Sequence, residues 1–177
     1  RSNSNCNAMM NQMPSLKNIT GNLAMPGFTA PKLHWMSENE PEHFDRISKV
    51  LLPKDYVRFL MSGDYASDQS DSAGTLWLNV SKRDWSDEIL ELTNLTRSHM
   101  PNLFEGSEAT GVLTKKVAND WGMSQVPIAA GGGDNAAGAV GVGVIKPGEG
   151  FLSLGTSGVI FLADNQYRPN TEGAVHT

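Results

Sequence analysis

An α/β fold is predicted, and three features of the 177-residue sequence predict it. Short apolar runs suited to strands lie at residues 75–80, "TLWLNV", and 126–130, "VPIAA". Stretches at 54–63 and 111–122 carry the apolar spacing of helices. Near the end, "FLSLGTSGVIFLAD" (151–164) sets two apolar runs around a glycine-bracketed turn, which is a hairpin pattern. Strands alternating with helices in this way mark an α/β architecture.

In chain order, residues 1–26 are polar and broken by Pro14, Gly21 and Pro26, so they read as loop with one short helix. Pro31 sits near a helix start, where its missing N–H is harmless. Leu33 and Met36 follow at helical spacing. A second short helix is expected over 41–47, and "KVLLP" (49–53) reads as a strand or buried turn. "KDYVRFLMSG" (54–63) is a helix with Tyr56, Phe59 and Leu60 on one side and Gly63 as its C-cap. "DYASDQSDSAG" (64–74) is a loop or a set of helix caps. In "SKRDWSDEILELTNL" (81–95) a helix is capped by Ser86 and carries acids in its first turn. "GVLTKKVANDWG" (111–122) is a helix ended by Gly122. A small-residue helix begins near Asp134 and gives way to a turn at 147–150. The change of composition near 146–150 is the expected domain boundary.

Composition narrows the function classes. With 39% hydrophobic and 19% charged residues, a packed core is expected in one ordinary domain or parts of two. The net charge of −5 argues against a nucleic-acid partner, which needs a basic face. No apolar run approaches the roughly 18 residues of a transmembrane helix. The polar start, "RSNSNCNAMMNQMPS", has no signal-peptide core. A single cysteine, Cys6, excludes an intrachain disulfide and fits a reducing, cytoplasmic compartment. The four histidines (34, 43, 99 and 176) are not spaced for a metal site, so no protein-held metal is expected. The tryptophans at 35, 77, 85 and 121 are read as packing residues rather than sugar platforms. The chain begins at Arg1 and stops at "EGAVHT", and a fragment is expected.

The chemistry centres on "AAGGGDNAAGAVGVG", residues 129–143, where a lone acid, Asp134, stands among glycines. It has three readings. Asp134 is a preferred N-cap for the helix that follows. Gly131, Gly133 and Ala136 also fit G-x-G-x-x-G/A after a strand, the dinucleotide pattern. Asp134 would then face a pyrophosphate, which its charge disfavours, and Glu149 lies on the wrong side of the next strand for a ribose acid. The third reading is a general base. Bare glycines let a substrate hydroxyl come within hydrogen-bond reach of the carboxylate. The companion is "SLGTSG" (153–158), a turn whose N–H groups and hydroxyls suit a phosphate. Its plain alternative is a hairpin turn with Gly155 or Gly158 at positive φ.

Three segments together resemble the FGGY carbohydrate kinases. "GFTAPKLHWMSEN" (27–39) is similar to that family's N-terminal signature, including Thr29, Lys32, Leu33, Trp35 and Glu38. "GGGDNAAGAVG" (131–141) resembles its catalytic-aspartate segment, and "SDQSDSAGTLWLN" (67–79) resembles a stretch between the two. The wording of the aspartate segment and of "SLGTSG" is closest to the xylulokinases. The glutamine-rich sequence usual after this aspartate in glycerol kinases is absent. The resemblance implies a ribonuclease-H-like, actin-like ATPase fold with parts of two domains flanking a cleft. Residues 1–145 would be the latter part of the sugar-kinase domain and 146–177 the start of the ATP-binding domain. It implies phosphorylation of D-xylulose at O5 with ATP and Mg²⁺, and Asp134 as the base. Asn135 would touch the sugar, and Gly155, Thr156, Ser157 and Gly158 would form a phosphate-binding hairpin. Lys32 and Trp35 read as surface charge and helix packing. The family's first Asp-x-Gly-Thr hairpin and its adenosine-binding segment are not in the chain, so the piece alone is expected to be inactive. Sugar and ATP are the implied partners, without nucleic acid or membrane, and a homodimer is compatible with the resemblance. Ribulose, gluconate or another polyol remains an alternative substrate. An actin-like ATP-binding protein without sugar chemistry is the alternative class.

Overall fold

The computed structural model describes residues 2–177 and contains helices and strands in alternation. The N-terminal region is more ordered than its composition suggests. Helices α1 (Asn3–Gln12) and α2 (Leu16–Thr20) replace the expected loop. The inward face of α1 is Ser2, Asn5, Cys6 and Met9. That face follows helical spacing, but two of its members are polar, so apolar periodicity did not reveal it. Asn5 is accommodated because its Nδ2 donates to His34 Nδ1 at 2.8 Å and to Glu38 Oε2 at 2.7 Å.

Helix α3 (Thr29–Asn39) buries Ala30, Pro31 and His34, with Leu33 and Met36 packed against the core. Lys32 is exposed and its Nζ donates to Gly27 O at 2.8 Å. Helix α4 (Pro41–Phe44) is shorter than the expected span. Residues 49–52 form no strand; they run extended, with Val50 N–H on His99 O. Helix α5 (Pro53–Ser62) ends at Gly63, whose φ of +82° is the left-handed conformation of a glycine cap. The side that carries Tyr56 and Leu60 is not its buried face. Asp55 and Arg58 are buried, whereas Tyr56 and Leu60 are exposed.

Strand β1 (Ala66–Asp68) and helix α6 (Gln69–Ala73) occupy the stretch expected to be loop or caps. The capping expectation holds within it: Asp68 caps α6 by accepting the Asp71 N–H at 3.1 Å. The expected strand at 75–80 narrows to β2 (Leu78–Asn79), paired antiparallel with β3 (Asp84–Trp85). Helix α7 (Asp87–Leu92) follows with Ser86 at its N-cap position, although the Ser86 side chain makes no capping bond. Strand β4 (Asn102–Phe104) runs parallel to β1. Strand β5 (Ala109–Val112) takes the first residues of the expected helix, leaving α8 as Lys115–Asp120. Strand β6 (Pro127–Ala129) pairs antiparallel with β5. Helix α9 (Asp134–Gly141) is followed by the hairpin β7 (Gly150–Leu154) and β8 (Gly158–Leu162).

The core gathers α1, α2, α3 and α7 around Trp77, which is fully buried. Its indole N–H is not orphaned, because Thr93 Oγ1 accepts it at 2.9 Å. Trp85 is buried, Trp35 is half-buried and Trp121 is exposed. No described helix is long and apolar enough to cross a membrane.

Candidate active site

Three strands end at one place. β1 ends at Asp68, β4 runs into Glu105 and Gly106, and β6 runs into the glycines before Asp134. Residues just beyond these carboxyl ends line a cleft of about 880 Å³, as is usual for ligand sites in α/β folds. Asp68, Ser70, Asp71, Arg83, Glu105, Asp134 and Asn135 contribute to its wall. Gly158 and Ile160 of β8 and His176 lie on it as well. None of the four tryptophans does.

The loop ahead of Asp134 is clamped by its backbone. Ala130 N–H donates to Glu108 O and Gly131 N–H to Gly106 O, each at 3.0 Å. Gly131 has φ of +91°, which favours glycine. A Cβ at Gly106 would stand 2.5 Å from Gly131 O, so only glycine permits this approach. Gly133 then occupies the N-cap position of α9, and Asp134 is the first helical residue rather than the cap. Its Oδ1 accepts the Asn135 N–H at 2.8 Å. A carboxylate there is favoured by the positive end of the helix. Both Asp134 and Asn135 are exposed. The dinucleotide reading is not supported, because β6 pairs antiparallel with β5 and no parallel strand follows α9 to form a βαβ unit.

Beneath this loop lies a charged cluster that sequence reading did not assemble. Lys54 Nζ is 2.6 Å from Asp55 Oδ1, 2.7 Å from Asp68 Oδ1 and 3.4 Å from Asp71 Oδ2. Burial would raise the Asp68 carboxyl, but hydrogen bonds from Lys54, Ser70 and the Asp71 N–H outweigh it and hold Asp68 below the usual carboxylate range. Burial would also lower Lys54, and its two buried carboxylate partners reverse this, keeping the ammonium charged. Asp71 is pushed up, first by burial and then by the Asp68 and Asp55 charges, against the pull of Lys54. The only sequence signal was the density of Asp and Ser at 67–72, which reads equally well as capping.

At the cleft rim, Arg83 pairs with Glu105, and its own φ of +57° marks a tight turn between β2 and β3. The hairpin residues are split. Gly158 lines the cleft with Asp134 and Asn135, whereas Gly155, Thr156 and Ser157 do not. The Gly155 N–H is taken by Ser157 O at 2.9 Å. Neither Gly155 nor Gly158 has positive φ. The remaining histidines have other work: His34 meets Asn5, His43 meets Glu40 and His99 meets Thr96. Among the described residues, no three His, Cys, Asp or Glu side chains converge on a metal-sized site. Cys6 is buried, and burial pushes its thiol up, away from reactivity.

Comparison with known proteins agrees with this arrangement. Residues 1–141 match the N-terminal domain of the FGGY family of carbohydrate kinases. The chain is 56% identical over 172 residues to xylulose kinase of Escherichia coli, covering 97% of this chain and 36% of that protein. Xylulose kinase of Bacillus subtilis is 40% identical over 162 residues, 91% of this chain and 32% of that one. A crystal structure described as a xyloylose kinase from Brucella ovis superposes with a TM-score of 0.96 at 51% identity, covering 99% of this chain and 36% of that one. The fold is therefore that of the actin-like sugar kinases. The chain belongs to the FGGY family of carbohydrate kinases. It spans about 36% of the length of the first of these relatives.

Proposed function

We propose that the complete protein is an ATP-dependent sugar kinase that converts D-xylulose to D-xylulose 5-phosphate, with Asp134 as general base. The observation that carries this reading is the exposed Asp134 carboxylate on the cleft wall, approached across a loop of bare glycines. The choice of sugar is supported by 56% identity to a xylulose kinase over nearly the whole chain. Asp134 takes the proton of the sugar's O5 hydroxyl. That oxygen bonds to the γ-phosphorus as the bond to the β–γ bridging oxygen breaks, leaving ADP. Asn135, next to the base on the same wall, holds the sugar. Gly155, Thr156, Ser157 and Gly158 form the turn that meets the phosphates, with Gly158 already on the cleft wall. Mg²⁺ would accompany ATP and would neutralise charge on the phosphate oxygens. The reading divides the chain into a sugar-kinase part, 1–145, and the start of an ATP-binding part, 146–177. The N-terminal-domain match, which ends at 141, supports that division.

The test is ADP release by the complete protein with D-xylulose, D-ribulose, gluconate, glycerol and no sugar. Turnover should depend on D-xylulose. Asp134→Ala should lower it by about 10²- to 10⁴-fold while ATP affinity is kept. Near-normal turnover in that variant removes the role given to Asp134, and turnover indifferent to sugar removes the kinase.

A further inference from the structure

The loop carrying Asp134 has no side chains at 131–133, so only its backbone can anchor it. Its hold nearest to Asp134 comes from another element. The Gly133 N–H donates to Ser70 Oγ at 2.9 Å, across 63 residues of sequence. Ser70 is itself fixed, because its hydroxyl donates to Asp68 Oδ2. With the hydrogen committed there, a lone pair is left facing Gly133. Asp68 is 1% exposed, accepts the Asp71 N–H at 3.1 Å and lies 2.7 Å from Lys54 Nζ. A Cβ built on Gly132 would be 3.5 Å from Ser70 Oγ, and one on Gly133 would be 3.5 Å from the Asp71 backbone. The loop thus lies directly on the first turn of α6. A continuous relay runs from the buried Lys54–Asp68 pair through Ser70 and Gly133 to the first residue of α9.

We propose that Ser70 is a positioning residue for Asp134: it converts the buried Lys54–Asp68 pair into a fixed placement of the catalytic carboxylate. The inference rests on the reading of Asp134 as the base. Its physical ground is the narrow reach of proton transfer, about 2.6–3.2 Å between heavy atoms. A loop without side chains cannot keep that distance unaided, and a displacement near 1 Å can cost about 100-fold in rate. The lowered pKa of Asp68 is in keeping with the relay, since the ionised carboxylate accepts from Ser70 and the Asp71 N–H on one oxygen and faces Lys54 with the other.

The experiment is steady-state kinetics on the complete protein with Ser70→Ala, Ser70→Thr, Asp134→Ala and the Ser70→Ala/Asp134→Ala double variant. Ser70→Ala should lower kcat about 10- to 100-fold and leave the KM for ATP within about 2-fold. Ser70→Thr keeps the hydroxyl and should recover most of the loss. In the Asp134→Ala background, Ser70→Ala should cost nothing further, because its effect passes through the missing carboxylate. Ser70 is exposed, so the variants should fold, and Ser70→Gly deletes the same hydroxyl as a second check. Full kcat in Ser70→Ala beside an inactive Asp134→Ala overturns the positioning role alone. So does a Ser70→Ala loss that persists undiminished in the double variant. Near-normal Asp134→Ala overturns the general-base reading itself, and the inference with it.

Discussion

The loop that carries Asp134 rests on Ser70 and on the charged cluster beneath it, and Lys54 is the member of that cluster most open to test. Among the described residues it is the one cation within 4 Å of Asp55, Asp68 and Asp71. Lys54→Met would leave Asp55 and Asp68 buried without their cation, at a cost of about 3–5 kcal/mol, read as a lowered melting temperature of the complete protein. The pH dependence has a definite sign. Asp68 titrates below its ordinary range, so its contribution is complete above that range and is lost as the pH falls through the lowered value. Lys54 titrates above its ordinary range, so its contribution lasts through neutrality and is lost only as the pH rises through the raised value. Asp71, pushed up, opposes Asp68 in the acid range. Thermal melts across pH should therefore show wild type losing its advantage over Lys54→Met on the acid side, where Asp68 is neutralised in both. An unchanged difference at acid pH would place the stabilisation elsewhere.

Glycine controls the loop elements. Gly106→Ala sets a methyl against Gly131 O and must push the 131–133 loop away from β4. The expected result is a loss of about 1–3 kcal/mol together with reduced turnover, seen by denaturation and by the ADP-release assay. Wild-type behaviour in both would show that the loop is not clamped there. The sequence showed Asp134 and its glycines clearly, because a lone acid in such a loop has few uses. The hairpin at 150–162 was equally plain, since two apolar runs around a short turn have one common solution. Helix α5 was legible in its ends and not in its orientation. Apolar spacing puts Tyr56, Phe59 and Leu60 on one side without saying where that side faces, and Asp55 and Arg58 are the buried pair. Arg58 donates to Asp64 O and Thr110 O, each at 3.1 Å, and Asp55 Oδ1 pairs with Lys54, while Arg58 Nε and Asp55 Oδ2 find no hydrogen-bond partner. A partner as distant in sequence as Thr110 leaves no trace in local periodicity. The same holds for Ser70 and Gly133.

At the scale of the molecule, the end of the chain returns to its beginning. Lys17 pairs with Glu172 at 3.0 Å, and the His176 ring tilts against Phe28 with centroids 5.1 Å apart. Burial pushes His176 below the ordinary imidazole range, so the docked tail favours the neutral ring. Its contribution is complete above that range and is lost as the pH falls through the lowered value. Amide protection at 174–177, taken relative to intrinsic exchange, should therefore fall as the pH drops below the ordinary imidazole range, and His176→Phe should remove that dependence. Protection that ignores pH in wild type would refute the assignment. The Thr177 N–H also donates to Asn22 Oδ1 at 2.8 Å, 155 positions back. On a ribosome adding roughly 5–20 residues per second, Asn22 waits roughly 8–30 s for that donor. The turn at Gly21 and Asn22 therefore emerges with one acceptor uncommitted. Its closure comes only after the intervening residues have been made, when the Trp77 core is already available to form.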